Sequence, residues 1–101
     1  MRELEITKKV KVIEQLKSQL LSDVASLFTN MTSDDMGVES STDILADIVI
    51  ISYFLTEKLG TSYDGLDLKM KNKLKMALLK EDENSQWRNQ LLMLSKFFDA
   101  H

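Results

Sequence analysis

Apolar residues recur every three or four positions through the first third of the chain, at Val10, Ile13, Leu16, Leu20, Val24, Leu27 and Met31. That spacing lays them along one stripe of a helix, and it predicts a first helix from about Thr7 to about Met31. Lys8, Lys9, Lys11, Glu14 and Lys17 fall largely off the stripe, where they face water. The polar run Thr32-Ser33-Asp34-Asp35-Met36-Gly37 reads as a loop that closes on a glycine. Beyond it, Ser40, Ser41 or Thr42 is placed to cap a second helix through a side-chain oxygen, which runs to about Leu59 and stops at Gly60. This helix is apolar nearly all round, the signature of a position inside a bundle or a subunit interface. After a short polar connection, a third helix is predicted from about Gly65 to Lys80, with Leu66, Met70, Leu74 and Leu78 on its buried stripe. Glu81-Asp82-Glu83-Asn84 breaks it, and Asn84 or Ser85 caps a last helix with Trp87, Leu91, Leu94 and Phe98 on one face. Short loops between four helices favour antiparallel neighbours, so the pattern predicts an all-α four-helix bundle in one domain, residues 1–101.

Composition supports that picture and narrows the chemistry. Proline is absent and glycine occurs only three times, so little interrupts long helices. A chain of 101 residues buries a modest share of its surface; with so apolar a second helix, this predicts that a homodimer or higher homo-oligomer completes the core. Cysteine is absent, which excludes disulfides, thiolate ligands and a cysteine nucleophile and fits a reducing, cytoplasmic setting. The segment Met1-Arg2-Glu3-Leu4-Glu5 lacks the apolar core of a signal peptide. The longest greasy run, Ile44 to Leu55, is too short to cross a bilayer and contains Asp47, so no membrane partner is expected. The formal charge of −3 disfavours a nucleic-acid backbone as partner. The single histidine, His101, is the last residue and offers no triad.

Candidate chemistry sits on carboxylates. Asp43 and Asp47 are four residues apart and share a face of the second helix, and Asp47 is flanked by Leu45, Ala46, Ile48 and Val49. A carboxylate in such surroundings needs a cation, a strong donor or water. A hard divalent cation such as Mg²⁺ prefers oxygen ligands and keeps several waters. Asp23, beside the apolar stripe of the first helix and near Gln19 and Ser26, approaches Asp47 if the two helices pack antiparallel. The plainer readings are a dipole interaction for Asp43, a salt bridge for Asp47 and solvation for Asp23. Lys69, Asn72 and Lys73 share one face of the third helix; a solvated basic surface is the plainer reading there. Tyr53 and Phe54 read as core or interface, and Trp87, Phe97 and Phe98 as anchors of the last helix against the bundle or a second subunit.

The segment Asp43-Ile44-Leu45-Ala46-Asp47-Ile48-Val49-Ile50, continuing to Leu59-Gly60, resembles the second acidic helix of the MazG-like nucleotide pyrophosphohydrolases. Leu20 to Phe28 is similar to that family's first acidic helix, and Lys69-Met70-Lys71-Asn72-Lys73 to the basic helix that follows. The resemblance extends over roughly Leu16 to Lys75. It implies a helical fold of the all-α pyrophosphatase type and conversion of a nucleoside triphosphate to a monophosphate and pyrophosphate. It also implies Mg²⁺ bound by Asp23, Asp43 and Asp47, with Asp23 and Asp47 as the catalytic carboxylates. Lys69, Asn72 and Lys73 would meet the substrate phosphates. The acidic set is thinned: the family's Glu-Glu-x-x-Glu is replaced by Ser22, Asp23 and Ser26, and Ile44 stands three residues before Asp47. A non-catalytic helical oligomerisation module on the same fold is therefore the alternative expectation.

Overall fold

In the computed structural model the described residues, 2–32 and 37–100, form four helices and no strand. They are α1 (Arg2–Met31), α2 (Val38–Lys58), α3 (Tyr63–Lys80) and α4 (Arg88–Ala100). α1 pairs with α2, and α3 with α4, giving two compact helical hairpins, residues 1–61 and 62–101. The all-α class predicted from periodicity is the class observed.

In the first hairpin the helices run antiparallel, since Glu5, Lys8, Lys9 and Val12 share a groove with Glu57 and Lys58 at the far end of α2. The seam follows alternating steps of three and four residues. On α1 it uses Ile13, Leu16, Leu20, Asp23, Leu27 and Asn30, and on α2 Ser41, Ile44, Ile48, Ile51, Leu55 and Lys58, all of them buried or half-buried. A repeat averaging 3.5 residues keeps one line of each helix on its partner, as in a coiled coil. Its centre is Ile51, 6% exposed, while Val10 and Met31, expected on the stripe, are exposed. The seam is rotated about α1 toward Asp23 and Asn30, both 8% exposed.

The helix boundaries show which caps operate. α1 begins at Arg2, five residues before the expected start; Thr7 Oγ1 donates back to the Glu3 carbonyl (2.7 Å) from inside the helix, and Glu3 and Glu5 oppose the positive end of its dipole. α2 starts at Val38 behind an extended Gly37 with no side-chain cap. Ser40, Ser41 and Thr42 therefore lie inside the first turns, where Thr42 Oγ1 donates to the Val38 carbonyl (2.8 Å), and none of them caps. Of the intervening loop, residues 33–36 lie outside the described residues, as does His101. At the other end of α2, Gly60 takes φ +96°, a region that side chains with a Cβ rarely adopt. Its N–H donates to the Glu57 carbonyl (3.1 Å), and the Thr61 N–H donates to that of Thr56 (3.0 Å). This is the paired closure of a Schellman stop.

In the second hairpin, Ser62 caps α3 by accepting from the Gly65 N–H (3.0 Å). Replacing Ser62 with alanine is expected to lower stability by about 1 kcal/mol through loss of that cap, read as a lower thermal midpoint by circular dichroism. The Arg88 guanidinium at the start of α4 donates to the Leu78 and Glu81 carbonyls, each at 3.4 Å, and so serves free acceptors at the end of α3. Ser85 stands before α4, as expected of a cap, and its Oγ accepts from the Trp87 N–H (3.1 Å). Trp87 does not anchor its own hairpin, being 60% exposed, whereas Phe98 is half-buried. Trp87 ends the turn that precedes α4 and so lies outside the helical stretch that packs on α3. No helix among the described residues is long and apolar enough to cross a membrane.

Candidate functional site

Two chemically distinct surfaces emerge, one on each hairpin. On the first, Asp23 occupies a seam position seven residues from both Leu16 and Asn30, so the heptad geometry of α1 turns its carboxylate toward α2. Gln19, one turn earlier on the same helix, donates from Nε2 to Asp23 Oδ1 at 3.0 Å. Asp23 Oδ2 is buried, and no described residue donates to it. A buried carboxylate oxygen without a donor is unfavourable by about 1–3 kcal/mol or more, so this position is held at a cost that an apolar residue would avoid.

Asp43 and Asp47 lie to one side of the seam on α2, exposed, on a line continued by Ile50, Phe54 and Glu57 at steps of four, three, four and three. The antiparallel pairing brings Asp23 level with residues 43–47 of α2, but at different azimuths around the seam. Asp23 faces inward, and the other two face out. Among the described residues no three acidic or histidine side chains form a group able to hold a metal ion. The expected convergence of Asp23, Asp43 and Asp47 is thus absent from the described arrangement. The reason is angular: with Ile44 and Ile48 on the seam line of α2, positions 43 and 47 are turned about 100° away from them.

On the second hairpin, Lys69, Asn72 and Lys73 line one open groove on α3 together with Met76, Ala77 and Lys80. Their spacing repeats every three or four residues, so the face expected from sequence is the face observed, extended by one more turn to Lys80. The ion pairs among the described residues are Lys17–Glu14 and Lys58–Glu57, both local and exposed. Lys69, Lys73 and Lys80 have no carboxylate partner among the described residues.

Sequence reasoning missed Asn30, and it placed Gln19 near Asp23 without pairing the two. The signal was present in the numbering, because 16, 23 and 30 form one heptad line and 19 precedes 23 by one turn, where Gln–Asp pairs hydrogen-bond on a helix. An apolar count skips such a line because two of its three members are polar.

These features define a class: an all-α protein of paired helices, with a buried aspartate on the first, an acidic apolar second and a lysine-rich third. The model of the MazG-like family matches residues 6–91, and the chain belongs to that family. No curated protein and no solved structure matches it significantly.

Proposed function

We propose that the chain is a Mg²⁺-dependent nucleoside triphosphate pyrophosphohydrolase of the MazG type. In this reaction a water oxygen bonds to the α-phosphorus and the α–β bridging oxygen leaves with pyrophosphate, while the monophosphate keeps the new oxygen. The observation that carries the reading is the buried, donor-free Oδ2 of Asp23, within the segment Leu20 to Phe28 that resembles the family's first acidic helix. An orphaned hard oxygen suits Mg²⁺, which binds through one or two carboxylates plus substrate phosphates and retains water for the rest. By the family resemblance Asp23, Asp43 and Asp47 would hold it, although among the described residues they form no such group. When bound, the ion neutralises phosphate charge and lowers the pKa of an attacking water. Rotation of Asp23 about χ2 exchanges its two oxygens, so either can serve Gln19 while the other serves a ligand. Asp47, exposed and unshared, is assigned to orient the water. Lys69 and Lys73 offer point charges and Asn72 an amide donor to phosphate oxygens. The setting for this substrate is the cytoplasm, where nucleoside triphosphates are held.

Incubation with each nucleoside triphosphate and Mg²⁺ is expected to release pyrophosphate. Asp23→Asn and Asp47→Asn should abolish the release. Lys69→Ala with Lys73→Ala should raise KM about tenfold, the effect of roughly 1.4 kcal/mol of lost phosphate binding. No release with any nucleotide, together with no calorimetric binding of Mg²⁺ or nucleotide, removes the enzymatic reading.

A second reading has its own support. Ser22 and Ser26 stand where the family carries acids, and Asp43 and Asp47 face away from Asp23. On this reading the chain is a non-catalytic helical module. Its thermal midpoint would be indifferent to Mg²⁺, whereas a cation that binds only the folded state raises it. Both readings include a homo-oligomer, a dimer being the simplest closed form. Leu45, Val49, Ile50 and Phe54 leave about half of their surface exposed on α2, and such apolar surface favours a partner subunit.

A further inference from the structure

We infer that copies of the nucleotide-free chain join by seating α2 of one copy along α3 of a second. The line Asp43, Asp47, Ile50 and Phe54 of the one lies against Lys69, Lys73, Met76 and Lys80 of the other. The inference rests on the homo-oligomer that both readings above include, and it names the surfaces that join. All of these side chains are exposed, and each line lies within a single helix. The α2 line advances by steps of four, three and four residues, and the α3 line advances by the same steps. Lines with that rhythm stay in register when two helices wind about each other. On α3 the line also borders an open groove, which Asn72 and Ala77 complete.

The chemistry matches rung by rung when the two helices run parallel. Asp43 then meets Lys69, and Asp47 meets Lys73, each an acid against a base. Ile50, 48% exposed, meets Met76, 55% exposed, and each covers the other. Phe54 meets Lys80, and a lysine over an aromatic face is favourable. Reversing one helix keeps the steps but sets Asp47 against Met76 and Ile50 against Lys73, which puts charge on hydrocarbon. Pairing α2 with a second α2 fails differently, because its line has acids and no base to oppose them. The opposite flank of α2, with Leu45 and Val49, carries no charge and selects no partner of this kind. The apolar rungs supply adhesion, while the ionic rungs fix partner and register, since exposed ion pairs each contribute little. The contact joins unlike surfaces, so a dimer closes when each copy gives its α2 and receives the other's. A triphosphate on Lys69 and Lys73 would compete with it.

The chain has no cysteine, so a single introduced one reports its own contact. Wild type is first weighed by light scattering at micromolar concentration and is expected to be a dimer or larger. Ile50→Cys protein is then mixed with tagged Met76→Cys protein under mild oxidation, and a non-reducing gel resolves the crosslinked chains. The mixed disulfide should form faster than that of either variant alone. It should also outpace Leu45→Cys mixed with Met76→Cys, since Leu45 is exposed on the other flank of α2. Lys69→Glu with Lys73→Glu should weaken self-association about tenfold, as expected when two exposed ion pairs become repulsive. Mixing that protein with Asp43→Lys, Asp47→Lys should restore association. Where a charge variant melts below wild type, the cysteine pairs alone decide. Oligomeric wild type whose mixed disulfide forms no faster than the controls overturns the inference and leaves the oligomer standing. A faster disulfide between two Ile50→Cys chains also overturns it, in favour of α2 against α2. Monomeric wild type removes the oligomer and the inference with it.

Discussion

Replacing Ile51 with alanine should lower stability by about 2–4 kcal/mol, because it empties the only described apolar position that is fully inside a seam. For a chain of this size that corresponds to a fall in thermal midpoint of roughly 10–20 °C. The neighbouring rungs, Ile44, Ile48 and Leu55, are only half-buried, so they cannot move in to fill the space without uncovering their other sides. Ile51→Val, which removes a single methyl group, should cost about 1 kcal/mol, and the ratio of the two losses tests whether volume at this position sets the effect. Thermal and urea melts read both. An Ile51→Ala protein that melts within a degree or two of wild type would show that the hairpin draws its stability from elsewhere.

Asp23→Leu should act in the opposite sense. It removes a carboxylate with one oxygen unsatisfied in the seam and supplies an apolar residue at the position between Leu16 and Asn30. Removing a buried group that lacks a partner returns its desolvation penalty, about 1–3 kcal/mol, and apolar replacements of buried charges are often neutral or stabilising. The metal-free midpoint should therefore rise by several degrees. At the same time, any rise in midpoint that Mg²⁺ gives the wild type should vanish. A lower metal-free midpoint would mean that Oδ2 is well satisfied in solution, and it would remove the main structural argument for a cation at this place.

Periodicity made the fold legible because four stretches of three-and-four spacing mark four helices whatever their partners do. Gly60 was legible because a positive-φ stop imposes a residue type, whereas Ser62, the cap of α3, was passed over within the polar connection before Gly65. The start of α2 was not legible, because an extended Gly37 begins the helix without any side chain, leaving three downstream hydroxyls as false caps. The residues of the candidate site were legible one helix at a time. Asp43 with Asp47, and Lys69 with Asn72 and Lys73, share faces as spacing alone requires. The direction of Asp23 relative to Asp47 was not legible, because it depends on how far α1 is rotated about its axis when the seam closes. A rotation of one residue's worth, about 100°, separates an acid facing its neighbours from one turned beneath them. The plain reading of Asp23 as a solvated residue failed for the same reason: it depends on which side of a helix is covered, and on no property of the residue itself.

The first hairpin is graded along its length. Toward its turn the interlocking rungs are Asn30 and Ser41, whereas the isoleucines of α2 lie progressively farther from that turn. Separation of the two helices that begins at the turn therefore exposes the polar rung of Asn30 and Ser41 first, and the hydrocarbon rung of Leu27 and Ile44 next. Breathing of that kind would reach Asp23 before it reached Ile51. The far end, held by Ile51 and Leu55, keeps the helices in alignment for closing again.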